Sequence, residues 1–194
     1  MTLAANFVLL PPPEIWESAT LLNEQINEGT QKPEIIFNAT HFPHITLVQA
    51  YIDTHDLETI TEKMEKLAGE SAALELTASK ITKDELGFAS LNIELTDPLS
   101  DLHGKVLELL QDSFRPYNNE GFFLDSGETV PKVNYEYTEK FHELETYVPH
   151  ITLGKLHEKI PEWAPKKFTA ATLAFCQLGN WGTCRKILKA WQLS

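Results

Sequence analysis

Cysteine is nearly absent: two residues, Cys176 and Cys184, in a chain of 194. That is too few for a disulfide framework, and neither lies near the ligand spacing of a zinc site, so the fold must hold by its core alone. With 42% hydrophobic residues there is enough apolar surface to build one. Basic charge is also scarce, with 16 Lys and Arg against 28 Asp and Glu, for a net charge of −12. Such a surface repels a long polyanion and excludes a protein that coats or tracks nucleic acid. Long hydrophobic runs are missing as well. The longest near the start, Leu3 to Leu10, has no basic residue ahead of it, is far too short to span a bilayer, and stops at Pro11-Pro12-Pro13. It reads as a first strand, and a cytoplasmic protein in a reducing compartment is expected, with no membrane contact. Low-complexity segments, heptads and Gly/Ser linkers are lacking too.

What the chain does have is a repetition. Pro43-His44-Ile45-Thr46-Leu47 returns as Pro149-His150-Ile151-Thr152-Leu153. Each copy lies in a β-rich run, and on a strand residues i and i+2 share a face about 6.7 Å apart. Each copy therefore presents one imidazole and one hydroxyl together. If the two strands lie side by side, His44, His150, Thr46 and Thr152 converge on one cleft with Ile45, Leu47, Ile151 and Leu153 behind them. Two imidazoles can take opposite charge states near neutral pH, and two hydroxyls can donate to the non-bridging oxygens of a phosphate. Threonine is a poor metal ligand, and the pair lacks a third or fourth Cys, Asp or Glu partner, so neither a metal nor another cofactor is expected.

The remaining pattern is α+β. Ala4 to Leu10 reads as a strand; the prolines open a helix to about Asn27 with Ile15, Ala19, Leu22 and Ile26 inward, and Gly29 ends it. After the first motif strand, His44 to Ile52, Asp53 or Thr54 caps a helix carrying Leu57, Ile60, Met64 and Leu67 on one face, ended by Gly69. Ala73 to Ile81 alternates as a strand. The order then restarts: a strand from Gly87 to Leu95, a helix from Pro98 to about Phe114, the second motif strand, then Phe168 to Leu178 and Cys184 to Leu193 as a hairpin around Gly179-Asn180-Trp181-Gly182. Repeat halves of about 1–82 and 83–194 within one bilobal domain follow from this order. The second half is longer, and its surplus, within 115–146, is expected to be a flap near the cleft. His103 reads as a core histidine; His41, His55, His142 and His157 read as loop or helix-end residues. Cys176 and Cys184, placed evenly about Asn180, would oppose each other as packed thiols.

Paired His-x-Thr motifs in a duplicated α+β chain resemble the two-histidine (2H) phosphoesterase superfamily, which includes RNA 2',3'-cyclic phosphodiesterases and 2'-5' RNA ligases. The resemblance spans nearly the whole chain. It implies a bilobal fold with pseudo-twofold symmetry, in which two antiparallel sheets face a central cleft and the helices lie outside. By the same resemblance His44 and His150 are the catalytic pair and Thr46 and Thr152 bind the phosphate, while Gly154-Lys155 match the Gly and basic residue that often follow the second motif. Lys155, Phe42 and Tyr147 are the candidate substrate contacts. The expected activity is metal-independent hydrolysis of the 2',3'-cyclic phosphate of a nucleotide or a short RNA end, by a monomer engaged in RNA processing. Cleavage or joining of 2'-5' linkages, hydrolysis of ADP-ribose cyclic phosphate, and a non-catalytic nucleotide-binding module of the same fold are the alternatives.

Overall fold

A strand buried on both sides needs apolar residues at every position, and the first strand shows what that requires. In the computed structural model, which describes residues 1–38, 40–132, 140–157 and 159–194, β1 (Thr2–Leu10) buries seven consecutive residues. Leu3, Ala5, Phe7 and Leu9 enter the main core, and Ala4 and Val8 enter two smaller clusters on the opposite face. Helix α1 (Pro13–Asn27) starts where the prolines permit it, with Pro13 at its first position, where no donor is lost. Its expected stripe of Ile15, Ala19, Leu22 and Ile26 is buried. Then follow β2 (Ile45–Asp53), α2 (Leu57–Gly69), β3 (Leu74–Lys83), β4 (Phe88–Ile93), α3 (Asp97–Leu110), β5 (His150–Lys155), β6 (Lys166–Ala170), β7 (Thr172–Leu178) and β8 (Cys184–Gln192). Caps match local chemistry: Asp53 accepts from the His55 N–H ahead of α2, and the Thr96 hydroxyl accepts from the Leu99 N–H at the start of α3. No helix among the described residues is long and apolar enough to cross a membrane.

The strands form two antiparallel four-stranded sheets, ordered β2-β1-β7-β8 and β5-β4-β3-β6. Each motif strand lies at an edge, paired with the strand that precedes it in the chain through a helix, which is the pseudo-twofold relation. The sheets do not, however, follow the division of the sequence near residue 82. β3 belongs to the second sheet, while β7 and β8 complete the first. The stretch from Phe168 to Leu178, expected as one strand, is two: the chain leaves β6 in the second sheet, turns at Ala171, and enters the first as β7. Helices cross over in the same manner, α1 packing against β5 and α3 against β2. One continuous hydrophobic core therefore joins both sheets and all three helices, and the lobes are fastened to each other rather than hinged.

The segment after α3 takes over where β7 leaves off. Arg115 N–H donates to Tyr51 O, Ala4 N–H to Gly121 O and Phe123 N–H to Leu178 O. Tyr117 and Phe122 pack on Ala4, Tyr51 and Leu178. Gly121 is required there: its φ is +81°, and a Cβ would fall 2.3 Å from the Thr2 carbonyl oxygen. Residues 115–132 are thus bound to the first sheet, whereas 133–139 of the expected flap lie outside the described residues.

Candidate active site

Both motif histidines are held by the same device. His44 Nδ1 lies 2.7 Å from the carbonyl oxygen of Phe42, and His150 Nδ1 lies 2.8 Å from that of Val148. A carbonyl can only accept, so Nδ1 carries the hydrogen in each ring and Nε2 is the nitrogen that bears the lone pair. Burial lowers the His44 pKa from 6.5 to about 4; the Phe42 carbonyl opposes the shift, and the positive charge of His150 adds to it. His150 is lowered chiefly by burial, against the Val148 carbonyl and the charge of Asp84. The charge of a protonated His150 discourages protonation of His44.

The hydroxyls differ. Thr46 is 6% exposed, and its Oγ1 accepts from the carboxamide of Asn6 at 3.3 Å. Thr152 is half-buried, opposite Ser90 on β4, and no hydrogen bond to its hydroxyl is present among the described residues. The two motifs are tied directly: Tyr147 O–H donates to the Thr46 carbonyl at 2.9 Å.

His44 lies immediately ahead of β2 and Thr46 on it, His150 and Thr152 lie on β5, and the two edge strands are in contact; the three expected substrate contacts have other partners. Tyr147 is buried, its hydroxyl spent on Thr46 and its ring stacked 3.9 Å from that of His103. Its role is to join the lobes, because a phenol with its one polar atom satisfied inside the core offers nothing to a ligand. Phe42 packs against the cluster of Val8, Ala174, Cys176 and Cys184. Its N–H donates to Cys184 O while its carbonyl orients His44, so it serves the site through its backbone. Lys155 faces Phe88 in the β4–β5 register, and its ammonium forms a partly exposed ion pair with Glu34 at 3.6 Å.

The other histidines mostly match expectation. His103 is fully buried and bonds Phe141 O through Nε2, and His55 bonds the Asp53 side chain. His142 instead reaches β2, with Nε2 2.6 Å from Gln49 O and its ring on Phe114. The cysteines are free and buried. Bulges shift their register, so that Cys176 faces Ile187 and Cys184 faces Leu178.

Two residues of the site were missed in the sequence. Asn6, fully buried on β1, reaches both Thr46 Oγ1 and, at 3.6 Å, Cys184 Sγ. Arg185, also buried, grips the Asp125 carboxylate through both terminal nitrogens at 2.7 and 3.0 Å and the Thr40 carbonyl through Nε. It fixes the strand approach to His44 against the segment after α3. The signal for Asn6 was visible: a lone carboxamide inside an apolar strand. Beside this support lies a cavity of about 340 Å³ walled in part by Asn38, His41, Asp125, Lys132 and Trp181. Trp181 adopts φ +59°, and its ring meets Phe88 of the other sheet at 5.7 Å. Among the described residues no cluster of three or more His, Cys, Asp or Glu could hold a metal ion.

The profile of the 2'-5' RNA ligase superfamily matches residues 11–177. No curated protein matches the chain. Among solved structures, E. coli LigT in its apo form is similar with a TM-score of 0.59 at 15% identity, over 100% of this chain and 99% of that one. The Thermus thermophilus protein TT0787 is similar with a TM-score of 0.62 at 14% identity, over 98% of both. LigT complexed with 3'-AMP gives 0.54 at 15% identity, over 100% of this chain and 99% of that one. At these identities the likeness is one of fold.

Proposed function

This chain belongs to the 2'-5' RNA ligase superfamily of 2H phosphoesterases, and from that membership we propose that it is a metal-independent phosphodiesterase that opens 2',3'-cyclic phosphates on nucleotides or short RNA ends. The observation that carries the proposal is the matched pair of Nδ1-to-carbonyl hydrogen bonds, which puts the proton on Nδ1 and the basic lone pair on Nε2 in both motif histidines. One neutral imidazole takes a proton from water as its oxygen bonds to phosphorus. The other, protonated, gives its proton to the ribose oxygen as that P–O bond breaks. Each transfer is typically worth about a hundred- to ten-thousand-fold. The Thr46 and Thr152 hydroxyls donate to the two non-bridging oxygens, where negative charge builds in the transition state.

Substrate size follows from charge. A net charge of −12, and a Lys155 paired with Glu34, leave little basic surface to follow a backbone. Binding is therefore confined to the scissile phosphate and one or two nucleosides. The complex of LigT with 3'-AMP, a nucleoside monophosphate on a protein of the same fold, supports a ligand of that size. The test is turnover of a panel comprising a 2',3'-cyclic mononucleotide, a 2'-5' dinucleotide and ADP-ribose cyclic phosphate, in the presence of EDTA. Fast turnover of the first, with kcat/KM rising little for longer RNA and falling with salt by only one or two charges' worth, supports the proposal. Loss of activity in EDTA, or strong preference for another member of the panel, overturns it.

A further inference from the structure

Asn6 sits where a strand through a hydrophobic core would be more stable with valine or leucine. It is fully buried between Ala5 and Phe7, and its Oδ1 is buried with no hydrogen-bond partner. A buried amide oxygen without a donor is a standing cost in stability. The other end of the carboxamide accounts for its presence: Nδ2 is 3.3 Å from Thr46 Oγ1 and 3.6 Å from Cys184 Sγ. A hydroxyl that accepts one hydrogen bond from behind keeps its own proton to donate in front.

Resting on the phosphodiesterase reading above, we infer that Asn6 is a positioning residue that makes Thr46 an obligate donor to the phosphate. By filling the acceptor side of Oγ1 it stops Thr46 from turning its O–H onto a neighbouring carbonyl, and it fixes the side chain before substrate arrives. Such preorganised donors are worth most in a site closed to water. The assignment is specific to the first lobe. On the second, Thr152 lies opposite Ser90 of β4 and its hydroxyl has no hydrogen bond among the described residues.

The experiment is a pair of double-mutant cycles on turnover of a 2',3'-cyclic mononucleotide. Asn6→Ala is expected to lower kcat by about tenfold with little change in KM, the pattern of an interaction made in the transition state. Combined with Thr46→Val it should cost nothing further, because the hydroxyl it serves is gone. Combined with Thr152→Val the two losses should multiply. Multiplication in both cycles would mean that Asn6 supports the fold generally, and would overturn the inference. Asn6→Asp should be slower than Asn6→Ala, since a carboxylate accepts the Thr46 proton instead of sparing it; equal or faster turnover would count against the assignment.

If the Asn6 variants do not fold, the wild-type protein still decides. The side-chain amide resonance of Asn6 in a ¹⁵N–¹H spectrum should shift on titration with inorganic phosphate, and the shift should vanish in Thr46→Val. A resonance that ignores phosphate overturns the inference. A wild-type protein that turns over no cyclic nucleotide, yet shows the phosphate-dependent shift, would sink the activity and leave the role of Asn6 standing.

Discussion

The two copies of Pro-His-Ile-Thr-Leu share every residue and the same histidine tautomer, but they live in different surroundings. β2 has eight consecutive buried residues, whereas β5 alternates between half-buried and buried at its start. Thr46 is backed by Asn6, whereas among the described residues no side chain bonds the Thr152 hydroxyl. The approach to His44 is clamped by a buried arginine, while His150 follows Val148, which is 62% exposed. An identical motif thus fixes what the local backbone can fix, namely the Nδ1 contact two residues upstream. Its electrostatics and rigidity come from whichever strands are laid beside it.

The most direct way to break the comparison is to remove each imidazole. His44→Ala and His150→Ala should each reduce turnover of a 2',3'-cyclic nucleotide by about a hundred- to ten-thousand-fold. The double variant should be little worse than either, since two groups acting in one step are not additive. Near wild-type turnover by either variant would show that the lobes do not act together.

Removing the hydroxyls sharpens it. Thr46→Val should cost more in kcat than Thr152→Val, by up to about tenfold, because the held donor is the better prepared one. Steady-state kinetics of the two variants give the ratio, and a larger loss at Thr152 would reverse the assigned asymmetry.

A third test concerns stability on the first-lobe side. Asp125→Asn leaves the Arg185 guanidinium buried without its counter-charge, and should lower the unfolding free energy by about 2 kcal/mol, less than for a fully buried pair because the carboxylate is half exposed. Hydrogen bonds from Arg185 hold the Asp125 carboxyl below its ordinary range. Its contribution is therefore complete above the ordinary carboxylate pKa and disappears as pH falls through the depressed folded value. Urea unfolding of wild type and variant across acidic pH should show their difference closing in that window.

A last effect is in pH dependence. Because the His44 pKa falls from 6.5 to about 4 on folding, the unfolded chain binds more protons between those values. That part of the stability is full above pH 6.5 and is lost as pH falls toward 4. For catalysis, both rings are lowered in the free protein. The bell of kcat/KM should accordingly be centred below pH 6.5, with limbs belonging to the coupled pair. A pH–rate profile centred above neutrality would contradict it.

Much of this was legible in the chain. Helices and strands announced themselves by period, caps and breakers, and the doubled motif marked four side chains that lie on or next to the edge strands β2 and β5. Sheet membership was not legible: Phe168 to Leu178 runs on without a Gly, a Pro or a charge, and no such breaker announces the crossing at Ala171. Nor could the aromatics near the motifs be sorted. A tyrosine is a ligand contact or a brace according to whether its hydroxyl already has a partner, and the Thr46 carbonyl that occupies Tyr147 is 101 residues away in the chain. Asn6 was the opposite case, a polar residue in an apolar strand that could have been flagged without any coordinates.

The crossing at Ala171 also bears on how the chain acquires its shape. The first sheet needs β7 beside β1, so the earliest strand to be synthesised waits, flanked only by β2, until some of the last residues have emerged. The second sheet, by contrast, is drawn from a contiguous stretch, β3 to β6, and can close while the first is still a two-stranded ribbon with an open edge. Pairings across such distances are slow to form and leave a sticky strand exposed in the interval. That topology favours assembly from the middle of the chain outward, with the His44 side of the site completed last.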